Sequence, residues 1–254
     1  MRHPGELRHA IDALTILVMR PLQDLIVGGP EDAWTQVQAW QAASRRPVEI
    51  LDGRRADGEA TLLAAQVTSR SPMGAVALNC GGILIDGGWL RVLGAGNDKI
   101  GGGLREWNER LGGARLDPPI GDALIVAYDA LGGWFAVNGG RWPDRLGDVR
   151  YLTPDATGWQ PFDVGYSGLL EWSMSGDLDT FYKGQRWPRW QSEVASLGTD
   201  QAIAYPPLGF EATPVGDRTR RAVPAHELWS FHHEIARQVA DLPDGAQIES
   251  RFDV

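Results

Sequence analysis

The stretch "GGILIDGGWLRVLGAGNDKIGGG", Gly81–Gly103, is the most glycine-dense in the chain, and its reading decides the fold. As a phosphate cradle it would mark a nucleotide enzyme. As a set of turns it belongs to an antiparallel meander. A phosphate-binding loop needs G-x-x-x-x-G-K-S/T. Gly96 and Gly101 have that spacing, but Gly102 and Gly103 stand at the lysine and hydroxyl positions. A dinucleotide fingerprint, G-x-G-x-x-G, starts at Gly94 and Gly96 and fails at Lys99. The glycines therefore turn the chain. Gly87-Gly88 joins two strands, and Gly94–Gly103 joins a strand to a helix at Leu104.

Working outward, "GAVALN" from Gly74, then "GILID", "WLRVLG", "ALIVAYD", "WFAVN" and "VRYLT" are short apolar or alternating runs. Gly, Asp, Asn and Pro clusters separate them, which is the pattern of a meander. Asp86-Gly87-Gly88 and Asn138-Gly139-Gly140 are the turn signals. The helix "LREWNERL", Leu104–Leu111, interrupts the series. Upstream, Pro30 sits in a first helical turn with Glu31 and Asp32, and Trp34, Val37 and Trp40 follow at helical spacing. "VEIL", Val48–Leu51, is a strand, and a helix over about Gly58–Gln66 carries Leu62 and Leu63. Downstream, Leu169, Leu170 and Trp172 lie in one helix, and Leu178, Phe181 and Tyr182 in the next. Pro188 opens a third through Trp190, Val194 and Leu197. A last helix starts near Pro224, with Leu228, Phe231, Ile235, Val239 and Leu242 as its core stripe. Helices, then strands, then helices make the class α+β, a central antiparallel sheet with N-terminal and C-terminal helices packed on it.

The chain has 254 residues, 33 acidic and 24 basic, for a net charge of -9. That sign excludes a phosphate backbone as main partner and suits a basic one. The single cysteine, Cys80, excludes an internal disulfide and a multi-cysteine zinc site, and reads as a small apolar residue after a strand. "ALTILVM", Ala13–Met19, falls short of the roughly 20 residues that span a bilayer. No membrane anchor or signal peptide is read, and the expected location is cytoplasmic. Met19 opens "MRPLQDLI", so residues 1–18 are read as an N-terminal extension and 19–254 as one α+β domain.

Chemistry-bearing residues are dispersed. All five histidines lie outside residues 10–225, and His226 and His233 share only a helix face. Asp86, Asp98, Asp122, Asp129, Asp163, Asp177 and Asp179 could supply paired acids, but most sit beside glycine or at element ends, where aspartate caps and turns. No catalytic, cofactor or metal residue is assigned. "GDLDTFYKGQRWPRW", Gly176–Trp190, gathers the residue types of binding hot spots. Phe181, Trp187 and Trp190 read as core there, with Arg186 and Arg189 open.

"MRPLQDLI", "SRSPMGAVALNCGGILIDGGWLRVLGAG", "GGWFAVNGG", "FYKGQRWPRWQSEV" and "RAVPAHE" resemble the bacterial family catalogued as Domain of Unknown Function 2625, from Met19 to the last helix. That resemblance implies no activity and no catalytic residue. "ALIVAYDALGGWFAVNGG" with "GDVRYLTPDATGWQPFDVGYSGLLEW" is similar to the SUKH superfamily, α+β domains that include toxin-immunity proteins. That likeness implies a binding module. The long portion after Asp177 departs from it.

The expected function is a non-enzymatic protein-binding module, immunity-like in one version, with a basic protein as partner. The alternatives are an enzyme with a carboxylate-based site on the sheet and a homo-oligomeric structural protein. The contact surface is expected at Asp86–Trp89 and Trp134–Trp142, with Asp177–Trp190 as a second face. Its candidates are Asp86, Trp89, Arg91, Trp134, Trp142, Asp179, Tyr182, Arg186 and Trp187. Trp89, Trp134 and Trp142 are expected half exposed, within an acidic surface made by Asp86, Asp129 and Asp144. ATP and NAD are expected to leave the melting temperature unchanged. A specific site filled at about 100 times its Kd would add about 2.7 kcal/mol, so a saturable upward shift with either would overturn the turn reading.

Overall fold

The computed structural model describes residues 19–111, 123–154, 156, 158–205 and 214–240. The expected extension 1–18, Asp122 and Leu242 lie outside the described residues. Among those described, the chain runs α1 (Leu22–Leu25), α2 (Trp34–Ala43), β1 (Val48–Leu51), α3 (Arg55–Ala65), α4 (Pro72–Asn79), β2 (Gly82–Ile85), β3 (Leu90–Leu93) and α5 (Leu104–Leu111). It continues with β4 (Ala123–Asp129), β5 (Trp134–Asn138), β6 (Asp148–Leu152), β7 (Gln160–Gly165), α6 (Tyr166–Ser175), α7 (Leu178–Phe181), α8 (Trp190–Ala195), β8 (Gln201–Ala204), β9 (Arg221–Pro224) and α9 (Ala225–Ala240). Strands β1 to β7 form one antiparallel sheet in chain order, and β8 and β9 form a separate hairpin. This is the expected α+β meander.

The glycine stretch turns the chain as its spacing implies. Asp86, Gly87 and Gly88 have φ of 55°, 68° and 91°, and this left-handed run reverses β2 into β3 with Ile85 opposite Leu90. The loop after β3 ends where Glu106 reaches back to accept from the Gly103 N–H at 3.0 Å, which satisfies a donor at the start of α5.

"GAVALN" is not a strand. Residues 72–79 form α4, because Ser71 accepts from the Gly74 N–H and Pro72 occupies the first turn. The helix is buried from Pro72 through Leu78 apart from Met73, so its apolar run lacks the alternation that separates helix from strand. Cys80 therefore follows a helix. It is buried, its Sγ lies 3.4 Å from the Val76 carbonyl, and burial pushes its thiol up to about 12. Strands β7, β8 and β9 were not expected. Their sequences, "QPFDVG", "QAIA" and "RAVP", are too short or too polar to alternate. In α9 the buried positions are Ala225, Leu228 and His232, while Phe231 and Ile235 are half-buried. The stripe thus lies partly to one side of the expected one.

Both faces of the large sheet are covered, and β4 is buried along its whole length. Cross-strand pairing puts Leu84, Arg91, Tyr128, Trp134 and Leu152 on one face. Trp107 of α5 and Trp229 of α9 pack there, at 5.8 and 5.3 Å from the Trp134 ring. The opposite face carries Ile83, Val92, Ala127, Phe135 and Tyr151, against Trp172 of α6 and Phe181 of α7. At the β7 edge, Pro161 and Asp163 (φ 58°) break the ladder, features that discourage edge-to-edge pairing.

One side chain completes the sheet. Pairing of β3 with β4 extends from Leu90↔Asp129 to Val92↔Ala127. Beyond it, the amide of Asn108 on α5 donates to the Ile125 carbonyl and accepts from the Ile125 N–H, both at 2.8 Å. Asn108 is fully buried and stands in for a missing strand neighbour. Replacing Asn108 with Ala leaves two buried backbone groups unpaired, and should lower unfolding free energy in urea by about 2–5 kcal/mol. Glu109→Ala, on the exposed side of α5, should stay within about 0.5 kcal/mol.

Candidate functional site

Most of the candidate residues gather into two aromatic clusters. The first is built on the β2–β3 turn. Trp89, at its end, is fully buried and meets Tyr182 and Trp190 edge-on at 5.3 and 4.9 Å, with Trp187 at 6.1 Å. The guanidinium of Arg186 lies over three of these rings, 4.7 Å from Trp89, 5.3 Å from Tyr182 and 4.4 Å from Trp190. It also meets two carboxylates, Asp86 Oδ2 and Asp179 Oδ1, each at 2.7 Å. Only the Asp179 contact is an aligned hydrogen bond; the Asp86 contact lies off the N–H axis. Arg46 approaches the same two carboxylates at 3.6 and 3.5 Å and donates to the Gly176 carbonyl. Asp177 caps α7, accepting from the Thr180 N–H at 2.9 Å, and Thr180 holds its carboxyl below the usual range.

Beneath this cluster lies a buried carboxylate. Asp129 Oδ1 accepts from the N–H groups of Leu131 and Gly133, each at 2.9 Å. Its Oδ2 accepts from the hydroxyls of Tyr151 at 2.6 Å and Tyr182 at 3.3 Å. Burial raises the Asp129 carboxyl, and these four donors oppose that rise. Burial and the neighbouring Asp129 carboxylate raise both tyrosines well above their ordinary value. A side chain at Gly133 would collide with Asp129 Oδ2 and the Tyr151 hydroxyl, so only glycine fits there. Asp129 is fully buried and satisfied, a clamp between β4, β6 and the segment after α7.

The second cluster is at the surface. The ring of Trp142 lies 5.3 Å from Trp159, which lies 6.2 Å from Trp229, and His233 packs on Trp229 at 4.1 Å. All three tryptophans are partly exposed. Arg150 lies over Trp142 at 5.2 Å, donates to Asp144 at 2.6 Å and donates to the Trp159 carbonyl at 3.0 Å. Arg141, exposed, lies 5.9 Å from the same ring. Asn138 holds the loop: its amide donates to the carbonyls of Trp142 and Asp144 and accepts from the N–H of Gly140.

These positions correct several expectations. Trp89 and Trp134 are fully buried, not half exposed, because the segment after Asp177 covers the first and α5 with α9 covers the second. Arg91 is buried too, donating to the carbonyls of Gly88 and Gln201 and meeting the Tyr128 hydroxyl. Tyr182 and Trp187 are core, and Trp187 donates its indole N–H to Glu193, which also pairs with Arg220. Asp129 is internal and Asp144 is paired, so neither adds free acidic surface. Asp86, Asp179, Arg186 and Trp142 keep some exposure. Sequence reasoning did not single out Trp159 and Trp229 as surface residues, since partners distant in the chain expose them side by side. Among the described residues, no three His, Cys, Asp or Glu side chains are grouped to hold a metal ion.

The family described as "Protein of unknown function DUF2625" matches residues 22–228, and the chain belongs to it. Putative uncharacterized protein YbfG of Escherichia coli is 35% identical over 219 residues, covering 85% of this chain and 97% of that protein. An uncharacterized protein of Haemophilus influenzae is 34% identical over 192 residues, covering 74% and 82%. No solved structure matches.

The two tyrosines should separate in their worth. Tyr151→Phe removes the short, charge-assisted bond to Asp129 and should cost about 1.5–3 kcal/mol of stability. Tyr182→Phe removes the longer one and should cost less. Equal losses in urea denaturation would contradict the asymmetry.

Proposed function

We propose that this member of the DUF2625 family is a cytoplasmic, non-enzymatic protein-binding module whose contact surface is the Trp142–Trp159–Trp229 face. One observation carries the reading: three partly exposed tryptophans stand side by side with Arg150 and Arg141 over the first of them. Trp and Arg are the residue types that dominate binding hot spots, and here a buried sheet supports them. The negative charge of the chain favours a basic partner and steers its approach, an effect that added salt weakens. The most deeply buried carboxylate of the sheet, Asp129, is saturated by four donors and supports a structural role rather than acid–base chemistry. No helix among the described residues is long and apolar enough to cross a membrane.

The test is a partner captured from the native host and titrated against variants. Trp142→Ala and Trp159→Ala should each weaken binding by about 2 kcal/mol or more. Both should stay folded, whereas Trp134→Ala, in the core, should lose about 3–5 kcal/mol of stability. Unchanged binding by both surface variants would overturn this face as the contact site.

A further inference from the structure

The chemistry of the Trp142–Trp159–Trp229 face narrows what can dock on it. The three rings stand in a row with centroids 5.3 and 6.2 Å apart, and neighbouring rings are tilted by 54° and 65°. Their faces therefore diverge, which makes a notch between each pair rather than one flat platform. The indole N–H groups of Trp107 and Trp187 donate inside the protein, to the Ile100 carbonyl and to Glu193. Those of Trp142, Trp159 and Trp229 meet no acceptor among the described residues, and all three side chains are partly exposed. The loop that carries Trp142 also carries Leu146, 70% exposed. Charge at the face is mostly paired. Arg150 is held by Asp144 and Arg145 by Asp148, while Arg141, exposed and over the Trp142 ring, makes no ion pair among the described residues.

We propose that this face takes a proline-rich segment of a partner protein in the polyproline II conformation, with an acidic side chain beside the prolines meeting Arg141. The proposal rests on the reading of this face as a protein contact surface. A docked helix keeps its N–H and C=O groups within itself and gives three free indole donors nothing to meet. An added strand needs an open edge, and β7, which follows Trp159, carries Pro161 and Asp163 at φ 58°. A phosphorylated segment needs an arginine cluster, and Arg141 alone is unpaired here. A polyproline II segment has no internal hydrogen bonds, so its carbonyls are free to accept from the indoles, and its rings fill notches between aromatic side chains. Already stiff, it loses little conformational freedom on docking. The net charge of -9 acts at long range on the partner as a whole, whereas Arg141 acts on the one side chain beside it.

The experiment titrates the isotope-labelled full chain with a blocked decaproline ending in two aspartates, and follows the indole N–H resonances of the eleven tryptophans by NMR. A glycine–serine peptide of the same length and ending is the control. Single Trp→Phe variants at Trp142, Trp159 and Trp229 assign the three signals of the face. Those three should shift saturably with the proline peptide and not with the control, while the signals of the buried Trp107 and Trp134 stay in place. Trp159→Ala should weaken the proline peptide at least about tenfold. Trp159→Phe, which keeps a ring and loses the donor, should weaken it less, and it takes the place of Trp159→Ala if that variant fails to fold. Arg141→Glu should weaken it too. No saturable shift with the proline peptide, equal shifts with the control, or shifts that spare Trp142 and Trp159 overturn the proposal. A captured partner that needs Trp142 and Trp159 but is not displaced by the proline peptide overturns it as well, and leaves the face standing as the contact surface.

Discussion

A carboxylate sealed inside the protein holds two halves of this fold together. Asp129 ends the central strand of the sheet, and its four donors come from its own turn, from β6 and from the segment after α7. A buried carboxylate is unfavourable unless it is hydrogen-bonded, so Tyr151 and Tyr182 both favour the closed fold. The Tyr182 bond helps to hold the C-terminal segment on the sheet. Once Tyr182 is in place, its ring also forms one wall of the Arg186 box, and Trp187 and Trp190 follow onto Trp89. Gly133 is the backbone's part in the same constraint, since any side chain there would displace a donor.

The sheet is a meander buried on both faces, an unusual demand on antiparallel strands, which often leave one face to water. The aromatic residues answer it. Trp107, Tyr128, Trp134 and Trp229 interlock on one face, and Phe135, Tyr151, Phe162, Trp172 and Phe181 on the other. Tilted and edge-on contacts predominate, the geometry that ring quadrupoles favour. Where β3 turns away from β4, no aromatic can serve, because the exposed groups are backbone N–H and C=O. An amide with a donor and an acceptor is required, and Asn108 supplies it.

The meander was legible because its turns announce themselves: Asp86-Gly87-Gly88 and Asn138-Gly139-Gly140 both sit where the chain reverses. The helix at Leu104–Leu111 was legible from its amphipathic spacing. What misled was the apolar run of α4, where burial on all sides erases the periodicity and only Ser71-Pro72 marks a helix start. Strands β7 to β9 were not legible, because pairing with neighbours rather than intrinsic pattern makes them strands. In the candidate site, Asp86, Trp89, Tyr182 and Arg186, named from the sequence, do lie together in the fold, but the exposure expected of Trp89 was misjudged. A tryptophan beside a glycine turn looks accessible in sequence. Whether it is depends on what folds over the turn, and here that cover comes from about ninety residues later in the chain.

That cover decides which tryptophans remain available to a partner. Of the eleven, Trp89, Trp107, Trp134, Trp187 and Trp190 are buried. The partly exposed six divide by neighbour. Trp34, Trp40 and Trp172 belong to helices α2 and α6, which pack on each other. Trp142, Trp159 and Trp229 come from two loops and α9 and stand in contact with one another, each partly exposed. Their arginine, Arg150, is held by Asp144 and the Trp159 carbonyl, so it keeps the Trp142 ring in place while its charge is already partly satisfied. Arg186 differs: three rings enclose it, and Asp86 and Asp179 each meet it at 2.7 Å. The same residue types therefore do two jobs in one fold. On the α9 side they make a stable aromatic surface that association could cover. At the β2–β3 turn they enclose an internal arginine that ties the segment after α7 to the turn through Asp86 and Trp89.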